Sequence, residues 1–387
     1  MKLKSVTTIL LMITIIGIGV FNFIHLSQTP ATETITSVKE LETYFNENFI
    51  NRFEFINLYG GIQKILGKNE VDQFDIIRDE QGKLHFQYFA DGPNDMSEIV
   101  NQLQDYRNYL DLIKVNLLFV LPPDKVLRGY TTFSEGLPYS YANEGADDFL
   151  NQLSDLGIEY LDLRKSILES GIPTSQLFFN TDHHWTPQAA FWSFGEVVSC
   201  LNEKFDYGLD ESLTKISQYY FKTYPHFFLG SQGRRTGVLY AGLDDFTVIE
   251  PMFKTEYTYD WINQGEQYTL SGPFHGTVLN DWSLDETVTY LDRDCYYAYL
   301  GGNFGEATIT NHLNEEGVKV LMIKDSYMLP LAAFLSAEVS EIKLIDLRYY
   351  KGKNMFEFAT AYQPDLVIVS VNPTNLVPEF FKFGEGE

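Results

Sequence analysis

Cysteine, histidine and positive charge are all scarce in this chain. Cys200 and Cys295 are the only cysteines among 387 residues. Two cysteines make no disulfide framework, and neither sits in a zinc-binding or reactive pattern, so the pair can equally be bridged or remain thiols. Lys and Arg number 28 against 53 Asp and Glu, a net charge of −25. That balance argues against nucleic acid as a partner, because binding it needs a basic footprint. It also counts against a strongly anionic polymer as the main ligand, local basic patches aside. Beyond the N-terminal segment, His85, His226, His275 and His312 are isolated and show no metal-ligand spacing. No internal repeat or long low-complexity tract stands out.

Lys2 and Lys4 precede a nearly unbroken apolar run from Val6 to Ile24. About 20 apolar residues suffice to cross a bilayer, and the lysines favour a short cytoplasmic end with the rest of the chain outside. A cleaved signal peptide is the rival reading, although the flank from Ser27 to Thr32 shows no small-x-small cleavage site. The sequence thus predicts a membrane anchor or signal segment over 1–30 and one α/β domain over 31–387. The localisation expected is a single-pass cell-membrane protein with its C-terminal domain extracytoplasmic, or a secreted one.

Short apolar runs at 115–121, 158–163, 318–323, 341–346 and 365–371 read as buried parallel strands. Helical periodicity lies between them, at 96–112, 146–156 and 186–205, and residues 33–69 read as a helical extension. Alternating strands and helices predict a doubly wound parallel sheet, whose ligand site lies at the carboxyl ends of the strands. Residues from about 206 to 311, rich in Tyr, Gly, Asp and Thr, read as a loop- and strand-rich insertion.

Two short runs carry the chemistry. Asp182-His183-His184-Trp185 places a carboxylate two residues before an imidazole, at a junction where Thr186 and Pro187 look like the start of a helix. Lys324-Asp325-Ser326 places a hydroxyl directly after an apolar strand. Together they offer the nucleophile Ser326, the base His184 and the orienting acid Asp182 of an acyl-transfer site. Each run alone has a plainer reading: Asp325-Ser326 as an ordinary N-cap, Asp182 as a capping residue beside two exposed histidines. Asp182, His183 and His184 are also competent metal ligands, but no second ligand pair accompanies them, so neither metal nor other cofactor is expected.

These residues, with Asp162-Leu163-Arg164, Gly230 to Gly237, Asp244-Asp245-Phe246 and Asp346-Leu347-Arg348, resemble the DHHW family. That family belongs to the SGNH-hydrolase-like proteins that include the alginate O-acetylation proteins. The resemblance implies a permuted order, Asp-x-His before Ser, and the roles just given to Ser326, His184 and Asp182, with His183 in reserve. It also implies extracytoplasmic O-acetyl transfer to a polysaccharide acceptor, with a membrane-bound O-acyltransferase supplying the acyl group. An acetylesterase with the same three residues and a non-catalytic glycan-binding module are the alternatives. Oxyanion or substrate contacts are sought among Asn372, Arg348, Arg234, Arg235, Tyr327, His183 and Trp185, with Asn375 competing with Asn372. The many tyrosines and tryptophans of the insertion suit stacking on sugar rings.

Overall fold

The computed structural model describes residues 2–28, 36–71 and 73–386. Its elements run α1 (Lys2–Gln28), α2 (Val38–Glu47), α3 (Arg52–Ile65), β1 (Glu70–Val71), β2 (Ile76–Arg78), β3 (Leu84–Phe86), α4 (Ser97–Leu112), β4 (Asn116–Leu121), α5 (Ala142–Asp155) and β5 (Tyr160–Asp162). They continue with α6 (Leu163–Ser166), α7 (Pro187–Phe205), β6 (Tyr219–Phe228), α8 (Ser231–Thr236), α9 (Val238–Ala241), β7 (Asp244–Pro251), β8 (Tyr257–Asn263) and β9 (Glu266–Gly272). The last third holds β10 (Glu306–Asn311), β11 (Lys319–Lys324), α10 (Met328–Leu335), β12 (Glu341–Ile345), α11 (Met355–Tyr362) and β13 (Leu366–Ser370).

The central sheet has eight strands in the order β5-β4-β13-β11-β12-β10-β8-β9. Its first five strands pair in parallel, and they are the five apolar runs read from the sequence. Their continuous hydrophobicity has a simple cause: both faces are covered. Leu118, Val120, Val320, Met322 and Ile368 pack into a core with α7 and α10. Phe119, Leu121, Leu321, Ile323, Val367 and Val369 point the other way, into a core with α4, α5 and α11.

The stretch from 206 to 311 is not a separate layer. Its strands β8 and β10 pair antiparallel with the parallel core through β12 and carry β9 at the edge. Only β6 and β7 form a ribbon of their own. The strands of the expected loop- and strand-rich insertion thus serve in part as an antiparallel extension of the sheet. Alternating burial along β10 explains why these strands lack the apolar runs of the others, since one face meets solvent.

The anchor expectation falls on α1. Several of its side chains lie outside the described residues, and among the described residues no helix is long and apolar enough to cross a membrane.

Candidate active site

β4, β11 and β13 end side by side, and the loops that follow them build the site. After β4, Pro122 and Pro123 stop the strand, and Asp124 and Lys125 follow as buried charges. After β11, the chain turns at Asp325-Ser326 into α10; after β13, it turns at Asn372. The Asp182 loop arrives from the other side, just ahead of α7. There Thr186 caps the helix by accepting from the Ala189 backbone N–H, and Pro187 occupies its first turn, as the sequence predicts.

The three residues proposed for catalysis meet across 142 positions of sequence. His184 Nε2 lies 2.8 Å from Ser326 Oγ, and His184 Nδ1 lies 2.5 Å from Asp182 Oδ1. Asp182 is held from several directions. Its Oδ1 also accepts from the His184 backbone N–H at 3.0 Å, and its Oδ2 accepts from the Ser231 N–H at 2.7 Å. Burial pushes the Asp182 carboxyl up, but the neighbouring imidazoles and these hydrogen bonds outweigh it and hold the group well below the usual carboxylate range. A permanent carboxylate fixes the proton of His184 on Nδ1 and leaves Nε2 as an acceptor facing the serine.

Packing locks the imidazole in place. The Tyr296 ring stacks on His184 at 3.7 Å between centroids and 11° between planes. The Tyr327 carbonyl accepts from both Trp185 Nε1 (2.9 Å) and the Tyr296 hydroxyl (3.0 Å), while the Tyr327 hydroxyl donates to the His183 carbonyl. Tyr327 thereby ties the nucleophile loop to the histidine loop. Gly230 is required by close approach: a Cβ there would sit 2.2 Å from Asp182 Cβ and 2.6 Å from its Cα. Beneath the loop, the Asp244 carboxylate accepts from the backbone N–H groups of Asn180 and Thr181 and from the Thr181 hydroxyl, each at 2.7 Å. Lys125 donates to the Asn180 and Asp182 carbonyls and to Gln232 Oε1.

On the nucleophile side, Asp325 is the organiser. Its Oδ1 accepts from the Tyr327 N–H, and its Oδ2 from the Asn372 N–H, Asn372 Nδ2 and Asn375 Nδ2. Ser326 itself is partly exposed, and its backbone N–H has no acceptor among the described residues. That leaves the N–H available to an oxyanion.

The other candidates stand differently. Asn372 braces Asp325 with its Nδ2 and caps the next turn with its Oδ1, so both ends of its amide are engaged. Trp185 is fully buried and presents no face to a substrate. Arg348 is bound to Asp346 through two nitrogens at 3.0 and 2.8 Å and lies over the Phe380 ring. Arg234 donates to the Arg293 carbonyl and pairs with Asp294, and Arg235 pairs with Asp75. His183 keeps 38 % of its side chain exposed, and its Nδ1 faces Ser231 Oγ at 3.1 Å. Burial and the neighbouring His184 push its imidazole down from the usual value. Asp182, His183 and His184 do bring ligand atoms within 4.8 Å of one another. A metal fits them poorly, because both nitrogens of His184 already face Asp182 and Ser326.

Four contributors escape sequence reasoning: Tyr296, Ser231, Asp124 and Lys125. Ser231 lies in the glycine-flanked run already singled out, and Asp124-Lys125 carry a signal in hindsight, two charges directly after a proline-stopped core strand. Tyr296 has none, being one of many tyrosines in its region.

Comparison with known proteins supports the architecture. Residues 85–218 match the family model described as SGNH hydrolase-like domain, acetyltransferase AlgX. The match takes in Asp182 and His184 and stops short of Ser326. No curated protein sequence matches the chain. Among solved structures, that of Bacillus cereus PatB1 with a sulfonyl adduct is similar at 20 % identity, covering 80 % of this chain and 97 % of that one, with a TM-score of 0.64. A DHHW family protein from Eubacterium siraeum is similar at 17 % identity over 83 % of this chain and 99 % of that one, with a TM-score of 0.61. The chain thus has the α/β fold of these structures, its residues 85–218 resemble an SGNH hydrolase-like domain, and its Asp182–Trp185 run meets Ser326 at the carboxyl ends of the sheet.

Proposed function

We propose that this protein is an extracytoplasmic O-acetyltransferase acting on a cell-surface or secreted polysaccharide. The observation that carries the reading is the continuous relay from Asp182 through His184 to Ser326, at 2.5 and 2.8 Å. In the first half-reaction Ser326 Oγ attacks the donor's acyl carbon and gives its proton to His184 Nε2. The bond to the leaving group breaks, and that group takes the proton. The acetyl group is then an ester of Ser326. In the second half, a sugar hydroxyl loses its proton to His184 Nε2 as its oxygen attacks the same carbon. The carbon–oxygen bond to Ser326 breaks, and Ser326 recovers the proton. The Ser326 backbone N–H stabilises the oxyanion in both steps.

The family model that matches residues 85–218 is described as an acetyltransferase, which favours transfer over simple hydrolysis. The net charge of −25 favours a neutral or weakly charged glycan. The apolar run from Val6 to Ile24 is proposed as the membrane anchor, and a membrane-bound O-acyltransferase as the source of acyl groups.

The test uses p-nitrophenyl acetate with and without oligosaccharide, comparing wild type, Ser326→Ala and His184→Ala. Acetylated sugar from wild type alone supports the transferase. Acetate release without sugar acetylation favours the esterase. A folded wild type as inert as its variants removes the catalytic reading.

A further inference from the structure

Helix α3 is built back to front. The side it packs on α8 and α9 is small and polar. Gly60 and Gln63 are buried there, and Asn57 Oδ1 accepts from the Leu239 N–H at 2.8 Å. A Cβ on Gly60 would meet the Thr236 carbonyl oxygen at 1.8 Å, so the helix lies flat on its support. The opposite side should be polar if water covered it. It carries instead Phe55, Leu58, Tyr59, Ile62, Ile65 and, just past the last turn, Leu66, between 42 % and 86 % exposed. At about 100° per residue these six fall on one third of the helix circumference, directly across from Gly60. Val38, Leu41 and Phe45 repeat the pattern along α2 and are exposed as well. Single apolar side chains at a surface need no explanation, but a contiguous stripe marks a contact.

Two observations choose the partner. The Ile50 backbone N–H, two residues before α3, donates to Asn22 Oδ1 at 2.7 Å. That bond ties the start of α3 to the end of the apolar run from Val6 to Ile24, so the stripe continues from the proposed anchor. Charge points the same way. Between residues 36 and 69, Lys39, Arg52, Lys64 and Lys68 balance four glutamates, in a chain whose net charge is −25. An anionic lipid surface repels the rest of the molecule and accepts this part. Phe55 and Tyr59 are also the kind of side chain that settles at a bilayer interface.

We infer that α2 and α3 lie on the bilayer, with the apolar stripe of α3 sunk to the boundary between headgroups and acyl chains. The inference rests on the preceding reading only in taking Val6 to Ile24 as the anchor, and it needs no catalytic step. It bears on the site all the same. α3 packs on α8, and the Ser231 N–H at the start of α8 holds Asp182 Oδ2 at 2.7 Å. The helix resting on lipid is thus one element away from the catalytic acid, and its contact sets how the triad faces the membrane.

The experiment uses the full chain reconstituted in vesicles of phosphatidylcholine and phosphatidylglycerol. An environment-sensitive nitrobenzoxadiazole label is attached at Leu58→Cys, Ile62→Cys or, as an exposed control, Lys254→Cys. The native Cys200 and Cys295 are buried and do not compete for the label. Emission at Leu58→Cys and Ile62→Cys should shift to shorter wavelength and be quenched severalfold more than at Lys254→Cys by lipid spin-labelled high on its acyl chains. Quenching no greater than at Lys254→Cys overturns the inference. So does a blue shift without lipid quenching that persists in detergent, which would mean that a second copy of the chain covers the stripe. Alkaline carbonate extraction of the same vesicles tests the anchor separately. Protein retained by the vesicles with unquenched α3 labels keeps the anchor and removes the inference. Protein stripped by carbonate whose labels were quenched beforehand removes the anchor and keeps the inference.

Discussion

Asp182 and Asp124 are both buried carboxyls, 4 % and 5 % exposed, yet they are built in opposite ways. Asp182 accepts from an imidazole and two backbone N–H groups and is held ionised, well below its usual range. Asp124 has no side-chain hydrogen-bond partner, and burial pushes it up to about 7, with the Val126 backbone N–H and the Arg164 guanidinium opposing. A carboxylate whose acceptor sites are filled from within the chain orients its neighbour. The number of partners, more than burial or residue type, separates the two.

The sharpest way to break this comparison is at the relay. Ser326→Ala or His184→Ala should lower acetyl release at least about a thousandfold, because members of a triad act as a unit. Steady-state rates with p-nitrophenyl acetate read this directly. Asp182→Asn comes next, with a loss on the order of a thousandfold in kcat at little cost in KM, since the amide no longer sets the tautomer of His184. Gly230→Ala attacks the same corner by crowding. A methyl 2.2 Å from Asp182 Cβ and 2.6 Å from Asp182 Cα must displace backbone, so a loss of about 1–3 kcal/mol in urea melts should accompany reduced activity.

Asp124→Asn should move the other way in stability. A carboxyl raised in the fold keeps its proton there after the unfolded chain has lost it. The folded state therefore binds more protons between the unfolded value near 4 and the folded value of about 7, and stability falls as pH rises through that window. Replacing Asp124 with a neutral amide removes this cost. The variant should exceed wild type by roughly 2 kcal/mol at pH 8 and lose that advantage near pH 4, as paired urea melts would show. No gain at pH 8 would mean that Asp124 is already satisfied in solution. The smallest effect belongs to Arg235→Ala, which removes an exposed pair with Asp75 and should change both activity and stability by less than about 1 kcal/mol.

The parallel half of the fold was legible in the sequence because strands buried on both faces leave continuous apolar runs. The half from β8 to β10 was not, since one-sided strands alternate and their register depends on partners far along the chain. At the site, Asp182-x-His184 could be read because its geometry is local, set by a turn of two residues. Ser326 could be read because a strand end precedes it. Asn372 looked like an oxyanion donor by its place after β13, but the direction of its amide is decided by Asp325, 47 positions away. Arg348 could by its place after β12 either contact substrate or pair with a carboxylate, and it pairs with Asp346 two residues back. The stacking of Tyr296 on His184 had no sequence signal, for nothing in the tyrosine-rich segment distinguishes that ring from its neighbours.

The central claim is that Ser326 carries the acyl group. Quenching the wild-type protein during turnover of p-nitrophenyl acetate and mapping its peptides by mass spectrometry tests this most directly. One acetyl group on Ser326, absent from His184→Ala, is the predicted result. Acetyl release by the wild type with no acetyl on Ser326, or with label confined to lysines, would contradict the account.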